Sequence, residues 1–356
     1  MAPRRNKTTL ATVAAELGIS RTSVSNAYNR PEELSAQLRE QILSTAARLG
    51  YAGPDPTARS LRTRRTGAIG VLFTDDLTYA FDDRASVDFM AGMAEASAGQ
   101  ATQLSLLPAR PDSEDTAAVN RAVVDGIVAY SVARDDPYLQ AVERRGLPLV
   151  VCDQPTDTEH PFVGVDNAAA ITPAAQALVD AGHTRIGILC IRLDRERNDG
   201  PVSPERLRTA GLHVQRDRVN GALAVFRAAG ISHPIPIVER FINNPVTTVD
   251  AARELHRTHP ELTAVLCTTD TMALGVLDYA ASVGIRVPED LSVVGFDGIA
   301  PALSRGLTTI LQPNRDKGIA AGRMLINLID NPSCCPEPIH LTTTLAPGTT
   351  LGPPRR

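Results

Sequence analysis

The chain has 356 residues, of which 43 % are hydrophobic and 21 % are charged, a length and balance typical of a globular protein with two or three domains. No apolar run approaches the roughly 18 residues that a membrane-spanning helix needs, and no apolar segment follows the basic start MAPRRNK. These features disfavour a membrane or secreted protein and predict a cytoplasmic one.

Charge is distributed unevenly along the chain. Residues 1–65 contain eleven Lys and Arg against five Asp and Glu, a net charge of +6, although the whole chain has a net charge of −4. A small basic unit joined to a larger acidic one indicates that the first part alone contacts a polyanion. Solvated charge runs are common, so this asymmetry is weak evidence by itself.

Three short helices are the first predicted elements. Apolar residues recur at helical spacing in residues 9–18, with Thr9 as the N-cap and Gly18 as the stop. Ser20 and Ser35 are the expected N-caps of the second and third helices. Three short helices, the first two joined by a glycine-containing turn, predict a helix-turn-helix unit. Its expected core residues are Val13, Ala14, Val24 and Leu38.

A linker is predicted after this unit, in the stretch AGPDPTARSLRTRRTG. Its prolines and glycines disfavour a packed domain, and four arginines follow one another within seven residues. A short helix from Pro56 to Leu61, started by the proline, is expected inside the linker.

From Gly67 onward, short apolar runs alternate with helical segments. The predicted strands are 68–73, 103–107, 126–130, 147–152, 185–190, 263–267 and 291–296. The predicted helices are 86–99, 168–181, 218–229, 247–258, 270–283 and 315–329. Such alternation is typical of parallel sheets covered on both faces, and the number of elements predicts two doubly wound α/β subdomains. The polar residues 192–217, which include two prolines, are predicted to form an extended loop.

Three predicted strands are followed by an aspartate: Asp153, Asp270 and Asp297. Ligands of open parallel sheets lie beyond the carboxyl ends of the strands, so these carboxylates could surround a cleft and accept hydrogen bonds from hydroxyl groups. The alternative is that each aspartate caps the following helix. Capping is favoured for Asp270, and ligand contact is favoured for the other two, since no clear helix follows them.

An enzyme is a competing interpretation, because paired carboxylates can also hold a metal or act as nucleophile and acid–base groups. The sequence contains no G-x-S-x-G motif and no glycine loop for phosphate. His256 and His259 are three residues apart, not at i, i+4 spacing, and the five cysteines show no metal-binding pattern. We therefore expect no catalytic residue, no cofactor and no metal.

Two groups of motifs carry a resemblance to a known family. The first is TTLATVAAELGISRTSVSNAYN with LSAQLREQILSTAARLGY and ARSL, and the second is VDN, TTDTMALGVL, VPEDLSVVGFD and LTTILQ. They resemble the DNA-binding head with its hinge, and the effector-binding core, of the LacI/GalR transcription regulators. The resemblance extends from about Thr9 to Leu351.

The resemblance implies an α/β protein in which a small all-α helix-turn-helix domain precedes two doubly wound parallel subdomains, similar to the periplasmic binding proteins. The implied parts are a head (1–52), a hinge with a short helix (53–66) and a core (67–351) for effector binding and dimerisation. Within the core, the N-subdomain would comprise about 67–163 and 314–340, and the C-subdomain about 164–313 and 341–351.

The resemblance also assigns the DNA contacts of the head. Arg21, Thr22 and Asn26 would reach base edges in the major groove, where Arg matches guanine O6 and N7 and Asn matches adenine N6 and N7. Much of the family has Arg at the Asn26 position, so a different operator preference is expected there. The residues that would hold phosphates or cap helices are Thr9, Ser20, Ser23, Ser25 and Asn29.

In the hinge, the resemblance places Ala58 and Leu61 in the minor groove, where an apolar wedge between base steps kinks the duplex. Arg59 and the arginines that follow would lie along phosphates. The extra GPDP before the hinge helix departs from the family pattern.

A small-molecule effector between the subdomains is the remaining implication. An arginine with converging carboxylates suits a polyol, so a sugar or sugar derivative is expected. For Phe81 and Tyr130, burial in the hydrophobic core is as consistent with the sequence as contact with the effector. The matching effector-binding positions are Phe81, Tyr130, Asp153, Arg218, Thr269, Asp270, Asp297 and Gln312.

The resulting expectation is a transcription regulator, most simply a repressor, that binds a palindromic stretch of double-stranded operator DNA as a homodimer under allosteric control by its effector. Residues 332–356 lack a leucine heptad, which favours a dimer over a tetramer. The alternative, from a different class, is a sugar-binding protein or sugar-processing enzyme without DNA binding.

Overall fold

The computed structural model describes residues 8–54, 60, 63, 65–74, 77–98, 102–110 and 113–355. They divide into two compact units, one within Met1–Gly67 and the other within Ala68–Arg356. Among these residues, no helix combines the length and the hydropathy required to cross a bilayer.

The first unit is the predicted helix-turn-helix head. Its helices are α1 (Leu10–Leu17), α2 (Arg21–Asn29) and α3 (Ala36–Arg48), with a 3-10 turn over Pro31–Glu33 between the last two. Val13, Ala14 and Val24 lie in its small apolar core, and the partly buried Leu38 packs against that core, as predicted.

The three predicted N-caps of the head are confirmed. The side-chain oxygens of Thr9, Ser20 and Ser35 accept hydrogen bonds from backbone N–H groups in the first turns of α1, α2 and α3. Gly18 ends α1 in the left-handed conformation, with a φ of 65°. Such a cap typically contributes about 1 kcal/mol, so local sequence signals account for the positions of these helices.

The second unit is an α/β core with thirteen strands in its described residues. The strands are β1 (Ala68–Phe73), β2 (Gln103–Pro108), β3 (Gly126–Tyr130), β4 (Leu149–Cys152), β5 (Phe162–Gly164), β6 (Ile186–Ile191), β7 (Gly200–Pro201), β8 (Ile237–Arg240), β9 (Ala264–Cys267), β10 (Ser292–Asp297), β11 (Thr308–Leu311), β12 (Ile339–His340) and β13 (Thr344–Ala346). All seven predicted strands are present, and six short ones were not predicted.

Helices cover these strands. They are α4 (Leu77–Asp82), α5 (Arg84–Ala96), α6 (Ala117–Arg121), α7 (Pro137–Arg144), α8 (Asn167–Asp180), α9 (Pro204–Thr209), α10 (His213–Ala228), α11 (Pro245–Thr258), α12 (Asp270–Val283), α13 (Ala300–Ser304) and α14 (Asn314–Asp330). All six predicted helices are among them.

Two sheets confirm the prediction of two doubly wound subdomains. The first has the strand order β12-β5-β4-β3-β1-β2 and is parallel throughout, and the second has the order β13-β11-β10-β9-β6-β8-β7. Two edge pairings of the second sheet, β11 with β13 and β7 with β8, are antiparallel and were not predicted. The chain passes between the sheets after β5, after β11 and after β12, since α14 packs on the first sheet.

The prediction of an extended loop over 192–217 is wrong. This segment contains β7 and α9, and α10 already begins at His213. The buried carboxylate of Glu239 organises the segment, because it accepts hydrogen bonds from the Arg206 guanidinium at 2.5 and 2.8 Å and from the Leu193 backbone N–H at 2.8 Å. Ser203 caps α9 and is followed by Pro204, a start signal that was present in the sequence.

Candidate functional site

A cavity of about 110 Å³ lies at the carboxyl ends of strands from both sheets. The first sheet contributes Tyr130 from the end of β3 and Asp153 just after β4, and the second contributes Asp297 from β10 and Gln312 just after β11. This is the position at which open parallel sheets bind ligands. The two strand-end aspartates for which ligand contact was favoured therefore face one shared space.

Arg218 of α10 is a buried cation of the second subdomain. Its guanidinium donates hydrogen bonds to Asn167 Oδ1 at 2.9 Å, to the Thr268 carbonyl at 2.8 Å and to Gln312 Oε1 at 2.9 Å. It also lies 3.5 Å from Asp297 Oδ1, and its Cζ is 3.7 Å from the centre of the Phe296 ring. With so many partners, the guanidinium is fixed before any ligand binds.

The ion pair between Arg218 and Asp297 carries opposing effects on proton binding. Burial raises the pKa of Asp297 well above its ordinary value, and the adjacent Arg218 opposes this shift. Burial likewise lowers the pKa of Arg218, because its charged form loses hydration. Gln312 Nε2 donates to Asp297 Oδ1 at 3.2 Å and links the two charges into one hydrogen-bonded group.

Lys317 of α14 is the matching cation of the first subdomain. It is completely buried, and its Nζ lies 2.6 Å from Asp153 Oδ2 and 5.9 Å from the centre of the Tyr130 ring. Tyr130 in turn stacks on Phe89 with ring centres 4.0 Å apart. The cavity aspartates Asp153 and Asp297 therefore each have a buried cation as partner.

Two buried acceptors in the cavity have no hydrogen-bond partner among the described residues. They are Asp153 Oδ1 and Gln215 Oε1, on opposite subdomains. A buried acceptor without a donor typically costs about 1–3 kcal/mol, so most such groups in folded proteins are satisfied. Unpaired acceptors at a cavity are suited to a ligand that supplies O–H or N–H donors.

The backbone is unusual at the same place. Ser131, Asp153 and Asp297 have φ values of 57°, 69° and 127°, and they are the non-glycine residues with positive φ in the described part of the chain. All three line the cavity. Such conformations cost of order 1–3 kcal/mol each and concentrate at ligand-binding sites.

Several contacts join the two subdomains around the cavity. Gln154 Oε1 accepts from the Val214 backbone N–H at 2.9 Å, and Thr156 Oγ1 lies 3.1 Å from His213 Nδ1. Burial lowers the pKa of His213, which favours the neutral imidazole in this contact. The subdomains are thus held together in the described conformation by hydrogen bonds as well as by the cavity lining.

Two of the expected effector residues do not lie in the cavity. Phe81, on α4, is 58 % exposed and is not part of the lining. Asp270 is buried behind the lining, where Thr309 Oγ1 donates to one carboxylate oxygen at 2.6 Å and the Ile299 N–H donates to the other at 2.9 Å. Phe81 and Asp270 therefore both lie outside the cavity lining, contrary to the prediction.

The helix after β9 is also capped differently from the prediction. Thr269, not Asp270, is the N-cap of α12, and its side chain accepts from the Met272 N–H at 3.2 Å. Thr269 and Asn243 both line the cavity, and the Thr269 hydroxyl donates to Asn243 Oδ1 at 3.5 Å. The favoured reading of Asp270 as a cap was therefore wrong by one position.

Sequence reasoning missed the cavity residues Asp83, Gln154 and Gln215, and it also missed Lys317, the buried partner of Asp153. For Lys317 a signal existed, since the only other lysine in the chain is Lys7 and every other basic residue of the Lys and Arg set is arginine. The glutamines and Asp83 stand in no recognisable pattern. Their role depends on the packing of two subdomains, which one-dimensional spacing does not encode.

In the head, α2 carries six of the expected DNA-contacting residues: Arg21, Thr22, Ser23, Ser25, Asn26 and Asn29. Arg21 and Thr22 are exposed, whereas Ser20 and Ser23 bond to each other through their hydroxyls at 2.9 Å. Asn29 Nδ2 donates to the Ser25 carbonyl at 3.0 Å, which ties it to its own helix.

Three expected DNA contacts, Ala58, Arg59 and Leu61, lie outside the described residues. Within the described part of the chain, no cluster of three or more His, Cys, Asp or Glu side chains is arranged to hold a metal ion.

Comparison with known proteins decides the family. The HTH-type transcriptional regulator IpsA of Corynebacterium glutamicum is 58 % identical over 352 residues, covering 97 % of this chain and 98 % of that protein. A solved LacI-family transcriptional regulator from Corynebacterium glutamicum is 53 % identical, with a TM-score of 0.76, over 97 % of this chain and 99 % of that one. The chain belongs to the LacI/GalR family of helix-turn-helix transcription regulators.

Other similarities of this LacI/GalR regulator concern its parts and its fold. A model of the periplasmic binding protein-like domain matches residues 175–351. The lac repressor dimer, solved with operator and the anti-inducer ONPF, is 23 % identical with a TM-score of 0.77, over 97 % of this chain and 99 % of that one. At this identity the likeness concerns the fold alone.

Proposed function

We propose that this regulator is a homodimeric, cytoplasmic repressor that binds a near-palindromic operator through its two heads and is controlled by a sugar or sugar derivative in the core cavity. Arg21, Thr22 and Asn26 of α2 are the proposed base-reading residues. A dimer places two such helices on two half-sites, so the symmetry of the protein is matched by the symmetry of the operator.

The observation that carries the effector proposal is the pair of unpaired acceptors, Asp153 Oδ1 and Gln215 Oε1. They belong to opposite subdomains and face the same cavity as the fixed guanidinium of Arg218. A ligand with several hydroxyl groups can donate to both acceptors and accept from nearby donors. Such a ligand is held by both subdomains at once.

This arrangement supplies a mechanism for control. A ligand held from both sides favours the conformation in which the subdomains are in contact, since it gains its full set of hydrogen bonds only there. The operator binds one relative arrangement of the subdomains better than the other. Effector and operator affinities are then linked, and each changes the other by the same factor.

A thermal-shift screen against neutral sugars, polyols and sugar acids tests the effector proposal. A ligand that binds only the folded protein stabilises it and so raises the Tm of the protein. The stabilisation is about 2.7 kcal/mol when the ligand concentration is 100 times the Kd. Gln215→Ala should remove most of this shift for the ligand found, while its own Tm stays close to that of the wild type. If none of the three compound classes raised the Tm, the proposal would be contradicted.

The neighbouring Arg216 offers a matched control for this screen. It lies on the same turn of α10, is paired with Asp217 at 2.9 Å and is not part of the cavity lining. Arg216→Ala should keep the full ligand response. A response lost equally in both variants would indicate a general effect on α10 instead of a ligand contact.

Selection of bound sequences from a random duplex pool tests the DNA proposal. The wild-type protein should recover two related half-sites, and affinity should fall steeply with salt, as expected for several phosphate contacts. If the recovered sequences shared no motif and bound with the same Kd as the starting random pool, the alternative of a ligand-binding protein without operator function would be favoured.

A further inference from the structure

The side-chain amide of Asn26 is held by a carboxylate of the same head. Asn26 Nδ2 donates to Glu33 Oε2 at 2.6 Å. The other carboxylate oxygen, Glu33 Oε1, accepts from Arg30 Nη1 at 2.9 Å. Both oxygens of Glu33 are therefore occupied within the head, and one of them is committed to the proposed base-reading residue.

The backbone explains why Glu33 is in reach of Asn26. Arg30, the C-cap of α2, donates its N–H to the Asn26 carbonyl at 2.9 Å, and the Glu33 N–H donates to the Arg30 carbonyl at 3.0 Å. The 3-10 turn Pro31–Glu33 is thus attached directly to the last turn of α2. These backbone bonds fix the position of the turn relative to α2.

The bond to Glu33 determines which atoms Asn26 offers to a base. An ionised carboxylate only accepts hydrogen bonds, so the NH₂ group must face Glu33 and Oδ1 must point away from it. An asparagine amide has two N–H groups, and one of them remains beside Oδ1. That remaining donor and acceptor match adenine, which presents N6–H and N7, whereas guanine presents two acceptors, O6 and N7.

We propose that Glu33 is a positioning residue for sequence recognition, which holds the Asn26 amide in the orientation that reads adenine and rejects guanine. The proposal rests on the proposed operator function of α2. Arg30 has a supporting role, since it compensates the negative charge that Glu33 brings to a DNA-facing surface.

Glu33→Gln tests this proposal with little change of shape. Glutamine offers both a donor and an acceptor to Asn26, so the amide is free to turn over. In a random-pool selection, the preference for adenine over guanine at one position of each half-site should fall about tenfold, while the other positions keep their preferences. An unchanged preference at every position would overturn the positioning role.

Glu32→Gln is the matched control, because Glu32 is exposed on the same turn and the substitution removes the same charge. It should strengthen binding to all sequences alike and leave the selected motif unaltered. If both variants gave the same change of motif, the effect would come from charge alone and the proposal would fail.

A double-mutant cycle separates positioning from a general structural role. In an Asn26→Ala background, Glu33→Gln should produce no further change of base preference, since the residue it positions is gone. An independent loss in that background would overturn the proposal. If the wild-type protein itself selected no sequence, the operator function would fail first, and the two failures are thereby distinguished.

Discussion

The head and the core cavity place their polar groups in opposite environments. In the head, Arg21 and Thr22 are exposed on a helix whose apolar side forms the core. In the cavity, Arg218 and Asp297 are buried and held by neighbouring side chains. The proposed base-reading residues Arg21 and Thr22 can thus be exchanged with little effect on folding, whereas residues that line the cavity also contribute to folding.

The largest test of this contrast is Arg218→Met. It leaves Asp297 buried without its cation and removes donors from Asn167 and Gln312, so the free energy of unfolding should fall by about 3–5 kcal/mol. Urea denaturation measures this loss. Arg216→Met, on the same helix but half-buried, should cost less than about 1 kcal/mol. Similar losses in the two variants would contradict the distinction between cavity and surface cations.

The second test uses the buried Asp270 behind the cavity. Burial raises the pKa of Asp270 to about 6, against an ordinary value near 3.8. The folded protein therefore holds this proton more tightly than the unfolded chain, and the stability it contributes below about pH 4 is lost as the pH rises through about 6. The expected loss over this interval is of order 2 kcal/mol.

Asp270→Asn isolates that contribution, because asparagine does not titrate. Urea denaturation between pH 4 and pH 7 should show a flatter curve for the variant than for the wild type, whatever its absolute stability. Parallel curves would show that the Asp270 carboxyl does not retain its proton in the folded protein.

The smallest test lies in the head and compares neighbours on α2. Ser20→Ala removes an N-cap and should destabilise the head by about 1 kcal/mol. Thr22→Ala removes an exposed side chain and should change stability by less than about 0.5 kcal/mol, yet still lower operator affinity. Hydrogen exchange of the head amides measures the first effect, and a DNA titration measures the second. Equal stability losses in Ser20→Ala and Thr22→Ala would contradict the claim that the exposed residues of the head contribute little to folding.

The same contrast explains how far the sequence could predict the structure. The caps Thr9, Ser20 and Ser35 and the apolar strands were predictable, because a cap or a strand depends on neighbouring residues along the chain. The alternating elements also indicated two parallel sheets. The short edge strands were not predictable, since partners far along the chain hold them in place. In the segment around Glu239, only the start of α9 at Ser203 and Pro204 had a local signal.

The residues of the candidate site also fall into those with a local sequence signal and those that only the packing of distant segments brings together. Asp153 and Asp297 were found because each stands directly after an apolar strand. Gln215 lies on a helix with no local mark of function, and Lys317 is marked only as one of two lysines in the chain. Gln215 reaches the cavity, and Lys317 reaches Asp153, only through the packing of α10 and α14. Asp270 shows the opposite error, since a strand-end aspartate can equally be buried behind the site.

The three passages of the chain between the two sheets have a consequence for proteolysis. Any single cut in one passage leaves two other covalent connections between the subdomains, and both sheets keep all their strands. A protease that nicks one connection should therefore yield fragments that migrate apart only under denaturing conditions and remain one particle in native buffer. A single broken bond therefore does not separate the subdomains.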